Sequence, residues 1–257
     1  MFFFTTEVTS SKIASDKPLY ARTKKAYELI KGQVRGEVLE IGCGEGYGIP
    51  LYYDNVDELT LIDKSRYTIA ILKNKYPEAR LIQSKVPPLS DIEDNYFDNI
   101  ILFQVIEHIK NDHLLISELY RVLKPGGKAF LTTPNASKTL ARNPWHFKEY
   151  TFEDLKHLIT KNFKIFEIKG IEGNNKTDSY YNLNRTSVSQ LLKLDVFKLQ
   201  HRIPSFLLIL PYELLNRINR KKLLRKKPEL IANITSDDYD LKDFSDKTLD
   251  LFCILNK

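Results

Sequence analysis

The sequence predicts an α/β protein with a doubly wound, mostly parallel sheet of seven strands and a helical insertion before the last strand. Short apolar runs rich in β-branched residues alternate with amphipathic stretches, the pattern of strands joined by helices. The run Val38–Ile41 is followed by glycines at 42, 44, 46 and 48. The segment 171–247 separates the last two apolar runs and is far longer than a hairpin connection.

Each element has its own local signal, such as Ser65 as an N-cap or Pro125-Gly126-Gly127 as a helix stop. The predicted strands are 38–41, 59–62, 80–83, 98–103, 128–132, 164–169 and 249–255. The predicted helices are 19–31, expected to cover a sheet edge, then 49–54, 65–75, 111–123, 151–160, 186–201 and 205–225. A single domain, 1–257, then comprises an N-terminal helical cap (1–33), a core (34–170), a basic helical insertion (171–247) and the last strand (248–257).

Composition limits the class of protein. The chain has 257 residues, 42% hydrophobic and 28% charged, which is ordinary for a globular protein. It contains no apolar run of about eighteen residues, and its start lacks the basic flank of a signal peptide. Two cysteines, Cys43 and Cys253, are too few for a disulfide framework. We therefore expect a cytoplasmic protein. The net charge of +6 admits an anionic partner without requiring one.

The glycine-rich stretch after the first strand indicates a ligand site. Glycine allows positive φ and presents bare backbone to a ligand, and we expect the following helix to offer amides to a polar group. Two carboxylates accompany it: Glu40 inside the first strand and Asp63 at the end of the second. A carboxylate at the end of the second strand, where Asp63 stands, can accept hydrogen bonds from both hydroxyls of a ribose. The alternative for Asp63 is a helix N-cap.

Four stretches, in order, resemble the class I S-adenosylmethionine-dependent methyltransferases: 38–46 (VLEIGCGEG), 97–102 (FDNIIL), 105–109 (VIEHI) and 121–128 (RVLKPGGK). The resemblance covers roughly residues 34 to 134 and implies the Rossmann-like methyltransferase fold, with S-adenosylmethionine as the cofactor. The alternative is an unrelated nucleotide-binding Rossmann domain. The implied cofactor-binding residues are Glu40, Gly42, Cys43, Gly44, Gly46, Asp63, Lys64, Ser84, Lys85, Val86, Gln104 and Val105.

Two positions bear on how far the resemblance extends. Many relatives carry an Asp for the adenine amino group where this chain has Lys85, which leaves backbone groups and Ser84 to hold the adenine. Glu107-His108 resembles part of a metal-binding Glu-x-x-Glu-His stretch in ubiquinone-pathway O-methyltransferases. Because Gln104 replaces the first Glu, one anionic ligand is lost, and we predict that no metal is bound.

The stretch 143–151 follows the fifth strand and is expected to overhang the acceptor side of the cofactor. With Thr132-Thr133-Pro134-Asn135 it resembles bacterial methyltransferases that act on surface glycans and small metabolites. A hydroxyl acceptor loses its proton as the methyl arrives, and imidazole is suited to take it. We therefore predict His146 as catalytic base and Glu149 as its support. The alternative is that both only pin a loop.

These features predict a methyltransferase acting on a small-molecule or glycan-linked acceptor, at a hydroxyl oxygen. The alternatives are a catalytically silent cofactor-binding module and an enzyme acting on lipid, protein or RNA. The insertion places the apolar run 206–210 before a basic cluster, and three interpretations stay open: a lid, a dimer contact, or an amphipathic element on anionic lipid at the inner membrane surface. Nucleic acid is not expected, since the basic cluster lies far along the chain from the glycines.

Overall fold

The computed structural model describes residues 13–193, 195 and 199–257. Residues 1–12 of the predicted N-terminal cap, and residues 194 and 196–198 of the predicted helix 186–201, lie outside the described residues. One mixed sheet with helices on both faces organises the rest.

The sheet confirms the predicted fold class. Its strands lie in the order β3-β2-β1-β4-β5-β8-β6-β7, with parallel pairing from β3 to β5 and antiparallel pairing beyond. Their bounds are β1 Gly36–Ile41, β2 Val56–Asp63, β3 Arg80–Gln83, β4 Phe97–Phe103, β5 Leu123–Pro134, β6 Ile165–Gly173, β7 Tyr239–Lys242 and β8 Asp250–Asn256. Across the described residues the sheet has eight strands rather than seven. The additional strand, β7, was missed because it is short and its acidic flanks are typical of a loop.

The helices are α1 Lys17–Ile30, α2 Arg66–Lys75, α3 Asp112–Val122, α4 Phe152–Ile159, α5 Asn175–Leu192, α6 Leu199–Arg202, α7 Ser205–Lys226 and α8 Pro228–Asn233. Two expectations were wrong. The predicted helix 49–54 is instead a pair of 3-10 turns, Ile49–Leu51 and Tyr53–Asn55, because the chain must re-enter the sheet at once as β2. The first insertion helix begins at Asn175 rather than 186. Its first turns are polar and carry no apolar stripe, although Asn174 caps them.

Helix α1 crosses one face of the sheet from its edge to its middle. At its start, the Tyr239 hydroxyl of edge strand β7 donates to the Pro18 carbonyl (2.9 Å). At its end, the Tyr27 ring lies 4.8 Å from that of Phe103 in central strand β4. The expectation that this helix covers a sheet edge therefore describes only its first turn. The helix covers the space above the carboxyl ends of the parallel strands.

A buried carboxylate joins α1 to the first strand. Glu40 of β1 accepts a hydrogen bond from the Tyr27 hydroxyl (2.6 Å) and another from the Tyr52 hydroxyl in the turn after the glycines. Burial raises the pKa of Glu40 to about 7, although the two tyrosine hydrogen bonds act in the opposite direction. The group therefore keeps its proton in the folded protein at pH values where the unfolded chain has lost it.

This shift predicts that stability falls as the pH rises from about 4.5 towards 7. Over that range the unfolded chain has released the Glu40 proton and the folded protein has not, so ionisation favours unfolding. A shift from 4.5 to about 7 corresponds to about 3 kcal/mol of unfolding free energy. Urea unfolding of Glu40→Gln should show a flatter pH dependence than wild type over this range. The exposed Glu93→Gln should keep the wild-type slope, and equal slopes for wild type and Glu40→Gln would contradict the assignment.

Candidate active site

A cavity of about 920 Å³ opens at the carboxyl ends of the parallel strands, where open α/β sheets bind ligands. The loops after β1, β2, β3 and β4 line it, and α1, α7 and the segment 143–147 close it. Its volume falls in the range of sites for cofactors and drug-sized ligands.

The glycine loop, residues 42–48, forms the floor of the cavity. Gly42 has φ +71°, and a Cβ there would lie 2.4 Å from Val105 Cγ2, so this position needs bare backbone. Gly44 also has positive φ, and both residues line the cavity with Cys43 between them. Gly46, by contrast, is turned away: a Cβ there would lie 2.5 Å from Leu72 Cδ2 of α2, and the residue does not line the cavity. Gly46 was predicted to contact the cofactor, but the structure instead places it against Leu72 of α2.

Asp63 is held at the cavity wall by two backbone amides. Its Oδ2 accepts from the Gly44 N–H (3.1 Å) and its Oδ1 from the Ser65 N–H (2.8 Å). The Ser65 hydroxyl, which accepts from the Thr68 N–H (3.2 Å), caps α2, so the alternative of Asp63 as N-cap is wrong. Each carboxylate oxygen keeps acceptor capacity towards the cavity. Lys64, next in the chain, is exposed and also lines it.

The loop after β3 forms one end of the cavity. Ser84, Lys85 and Val86 all line it. The Ser84 N–H donates to the Asp63 carbonyl (3.1 Å), while its hydroxyl donates to the Lys85 carbonyl (3.2 Å). Lys85 is exposed, and the half-buried Val86 packs against the core. This end therefore offers backbone groups and apolar surface rather than a carboxylate, as the substitution by Lys85 led us to expect.

The exit of β4 forms the floor beside the glycine loop. Gln104 has φ +57° and donates from Nε2 to Thr132 Oγ1 (3.2 Å). Gln104 and Val105, two of the residues predicted to bind the cofactor, both line the cavity. Glu40 does not, because it is buried beneath the glycine loop with its two tyrosines. Glu40 therefore supports the glycine loop from below and does not contact the cavity.

His146 lies on the wall between the large cavity and a neighbouring surface pocket of about 370 Å³. Its Nδ1 is 2.9 Å from Glu149 Oε1, and its Nε2 is 2.8 Å from Asn143 Nδ2. Asn143 Oδ1 accepts from the Trp145 N–H (3.1 Å), so the amide nitrogen faces the ring. Nε2 is therefore an acceptor, and the ring proton lies on Nδ1 and is donated to Glu149.

Glu149 lines only the smaller pocket and not the large cavity, so it cannot meet a substrate there directly. Burial alone would raise its pKa, but hydrogen bonds from His146 and Thr139 lower it below the usual value. The carboxylate stays ionised and fixes the imidazole ring.

Glu107 is a site residue that the sequence analysis did not select. It is buried, lines the cavity and accepts from Thr133 Oγ1 (3.0 Å). Burial raises its pKa to about 7, against the opposing charge interaction with His146. His108 stands beside it, with Nδ1 3.0 Å from the Trp145 carbonyl and its ring 4.9 Å from that of His146. The adjacent pair Glu107-His108 was the sequence signal for this part of the site. That His146 lies beside the pair is seen only in the folded structure.

Glu107, His108 and His146 each offer one ligand atom, and these atoms all lie within 4.8 Å of one another. The prediction of no metal considered the loss of a carboxylate at Gln104 and did not foresee that His146 joins Glu107 and His108. The Glu107 carboxylate and His146 Nε2 already accept hydrogen bonds from neighbouring side chains. A cation would have to replace both, and the absence of a metal stays a prediction.

The side of the cavity above the strands is closed by distant parts of the chain. Arg22 of α1 lines it and holds Asp250 of β8, with Nε 2.8 Å from Oδ2. Tyr212 and Arg220 of α7 line it from the insertion, and an Arg220 guanidinium nitrogen lies 2.9 Å from Oδ1 of the buried Asp16. No local pattern predicts these residues, and the two arginines are held at the cavity by contacts across about two hundred positions.

Comparison with known proteins identifies the family of this chain. A model of the methyltransferase domain family matches residues 39–131. A probable S-adenosylmethionine-dependent methyltransferase of Mycolicibacterium smegmatis is 30% identical over 174 residues, which are 65% of this chain and 67% of that protein. The chain belongs to the S-adenosylmethionine-dependent methyltransferases.

Other relatives of the methyltransferase match over shorter stretches. A ubiquinone biosynthesis O-methyltransferase of Rickettsia conorii is 31% identical over 137 residues, covering 51% of this chain and 45% of that protein. Among solved structures, a SAM-dependent methyltransferase from Archaeoglobus fulgidus aligns with a TM-score of 0.56 at 17% identity, over 94% of each chain. A possible histamine N-methyltransferase from Thermotoga maritima aligns with a TM-score of 0.58 at 14% identity, over 95% of this chain and 91% of that one. These structural likenesses establish the fold alone.

The cavity fits the methyltransferase's cofactor. S-adenosylmethionine carries a ribose, an adenine and a methionine end. The cavity offers a fixed carboxylate at Asp63, apolar and backbone surface at 84–86, and bare backbone at Gly42 and Gly44. These are separate walls of one space, so all three parts of the ligand meet suitable surface.

If Asp63 accepts the ribose hydroxyls, replacing it should weaken cofactor binding. A hydrogen bond to a charged group is worth about 1.5 to 3 kcal/mol, so Asp63→Ala should lower the affinity for S-adenosylhomocysteine at least about tenfold in calorimetry. Asp57→Ala is the matched control, since Asp57 is exposed near the opposite end of the same strand. Wild-type affinity in a cooperatively folded Asp63→Ala protein would rule the contact out.

Proposed function

We propose that this methyltransferase transfers a methyl group to a hydroxyl oxygen of a small-molecule or glycan-linked acceptor, with His146 as the general base. The observation that supports the proposal is the position and tautomer of His146. Its ring lines the cavity, and its Nε2 is an acceptor because Nδ1 donates to Glu149. An imidazole held in this form is ready to receive a proton.

In the proposed reaction a carbon–sulfur bond is broken and a carbon–oxygen bond is formed. Bound S-adenosylmethionine would supply a methyl group whose bond to the sulfonium sulfur breaks as the bond to the acceptor oxygen forms, so that the electron pair stays on sulfur and S-adenosylhomocysteine is released. As the acceptor oxygen gains the methyl, its proton passes to His146 Nε2, replacing the hydrogen bond that Asn143 Nδ2 now donates. Glu149 holds the ring through Nδ1 and, like the nearby Glu107 when ionised, stabilises the charged imidazolium. Base assistance of this kind contributes about a hundred- to ten-thousand-fold in rate.

Oxygen is favoured over other acceptor atoms by two observations. A neutral amine attacks a methyl group through its own lone pair, whereas a hydroxyl needs a base such as the one that His146 presents. Relatives named ubiquinone biosynthesis O-methyltransferases, from Rickettsia and Xanthomonas, carry this atom in their names. We propose that the acceptor binds towards residues 143–147 and α7, which line the cavity together with the glycine loop.

The acceptor atom can be identified with methyl-labelled S-adenosylmethionine. The enzyme is incubated with it and with small-molecule, glycan and lipid extracts of a strain that lacks the enzyme. We expect label on a product whose mass and fragmentation place the methyl on oxygen. A labelled amine or carbon product would overturn the oxygen proposal while leaving cofactor use intact.

His146→Gln should lower turnover of that acceptor at least about a hundredfold, because glutamine takes up no proton. Affinity for S-adenosylhomocysteine, measured by calorimetry, should stay at the wild-type value. Glu149→Gln should show a smaller defect of the same kind, since it weakens only the support of the ring. The exposed His157→Gln on α4 is the control and should turn over normally. Wild-type turnover by His146→Gln would leave this residue as a loop pin.

A further inference from the structure

The outer face of α7 is unusually apolar for a surface. Half of the twelve exposed large hydrophobic side chains among the described residues lie on this one helix, and Leu210 is 78% exposed. A contiguous exposed patch of this kind marks an interaction site rather than ordinary surface. Its members are Phe206, Leu207, Leu210, Leu214, Leu215 and Ile218.

The patch occupies one side of the helix. At 100° per residue, these positions fall within an arc of about 180°. The opposite side is fixed to the protein: Asn219 and Leu223 are buried, and Asn219 Nδ2 donates to Asn184 Oδ1 of α5 (2.8 Å). Nearer the start of the helix, Trp145 Nε1 donates to Glu213 Oε1 (2.8 Å). With these contacts in place, the helix cannot rotate to bury its apolar face.

Basic residues continue the same face in the last turns of α7. Within the arc of the apolar patch lie the exposed Lys221, Lys222 and Arg225, followed by the exposed Lys226 and Lys227 at the end of the helix. A partner of this surface therefore has to be apolar at one end and anionic at the other. The surface of a bilayer with anionic headgroups offers both, with acyl chains below a negatively charged layer.

A second copy of the chain fits this face less well. If two copies paired through α7 in antiparallel fashion, each basic half would cover the partner's apolar half and lose its hydration. In parallel pairing the basic halves would face each other and repel. In the part of the chain that the structure describes, no helix combines the length and the apolar character that a membrane span requires.

From these observations we infer that the outer face of α7 binds an anionic membrane surface. The helix lies parallel to the bilayer, with leucines 207, 210 and 214 in the interface and the basic end on lipid headgroups. The inner side of the same helix contributes Tyr212 and Arg220 to the cavity. Membrane binding therefore brings the active site close to the bilayer. The inference concerns the surface alone and does not depend on which acceptor atom is methylated.

Vesicle co-sedimentation tests the inference with the whole chain. Vesicles of phosphatidylcholine alone are compared with vesicles of phosphatidylcholine and phosphatidylglycerol in equal parts. We expect wild type to bind the anionic vesicles at least about tenfold more tightly, and to lose most of this preference in high salt. Leu210→Asp/Leu214→Asp should lose binding to both. Lys221→Glu/Lys222→Glu/Arg225→Glu should lose the preference for anionic lipid.

Matched variants away from the patch serve as controls. Ile165→Asp changes an equally exposed apolar residue on β6, and Lys73→Glu/Lys161→Glu changes exposed charges elsewhere. Both should bind vesicles like wild type. All variants should keep thermal unfolding and S-adenosylhomocysteine affinity, which separates a failure here from a failure of the cofactor site. Equal binding by the α7 variants and wild type would overturn the inference. So would a stable dimer in sedimentation velocity that Leu210→Asp/Leu214→Asp dissociates.

Discussion

The cofactor side of the structure depends on the hydrogen bonds that the buried carboxyl group of Glu40 makes to two tyrosines. This carboxyl group is the point where the first strand, the helix before it and the turn after the glycines meet, through the hydroxyls of Tyr27 and Tyr52. Gly48 makes this possible, because a Cβ there would lie 2.3 Å from the Tyr27 ring. A buried carboxyl group without hydrogen-bond partners is costly, so both hydroxyls are needed for the loop to keep its place. The position of Gly42, and with it the floor of the cavity, follows from this network.

A second buried acidic residue plays a similar part for the insertion. Asp16, just before α1, has no exposed surface and accepts from Arg217 and Arg220 of α7. It therefore fixes the insertion over the cavity and gives α7 its two faces: one side lines the cavity, and the other turns its leucines outward. Removing one partner of a buried ion pair is strongly destabilising, so the orientation of the helix is as firmly set as that of a core element.

What the sequence predicted well has a local cause. The strand, the glycines and Asp63 follow one another closely, and positive φ with no room for a Cβ leaves few other residues possible at Gly42. The role of Gly46 was less accessible, since which side of a loop faces the ligand depends on packing against Leu72. Arg22, Glu107 and Arg220 enter the site through contacts between distant segments. No pattern of spacing records such contacts, and the same is true of strand β7 and the polar start of α5.

The match to the methyltransferase family model covers only part of the cavity lining. The methyltransferase family model ends at residue 131, before His146, before Glu149 and before the whole of α7. The shared portion builds the half of the cavity that suits the cofactor, which is common to the family. The rest of the lining comes from α1, from the segment after β5 and from α7 of the insertion, which all lie outside the matched residues. Acceptor specificity therefore has to be argued from the groups that face the cavity here, and those are an imidazole fixed by two side chains, a buried carboxyl group, and Tyr212 and Arg220 on the inner side of α7.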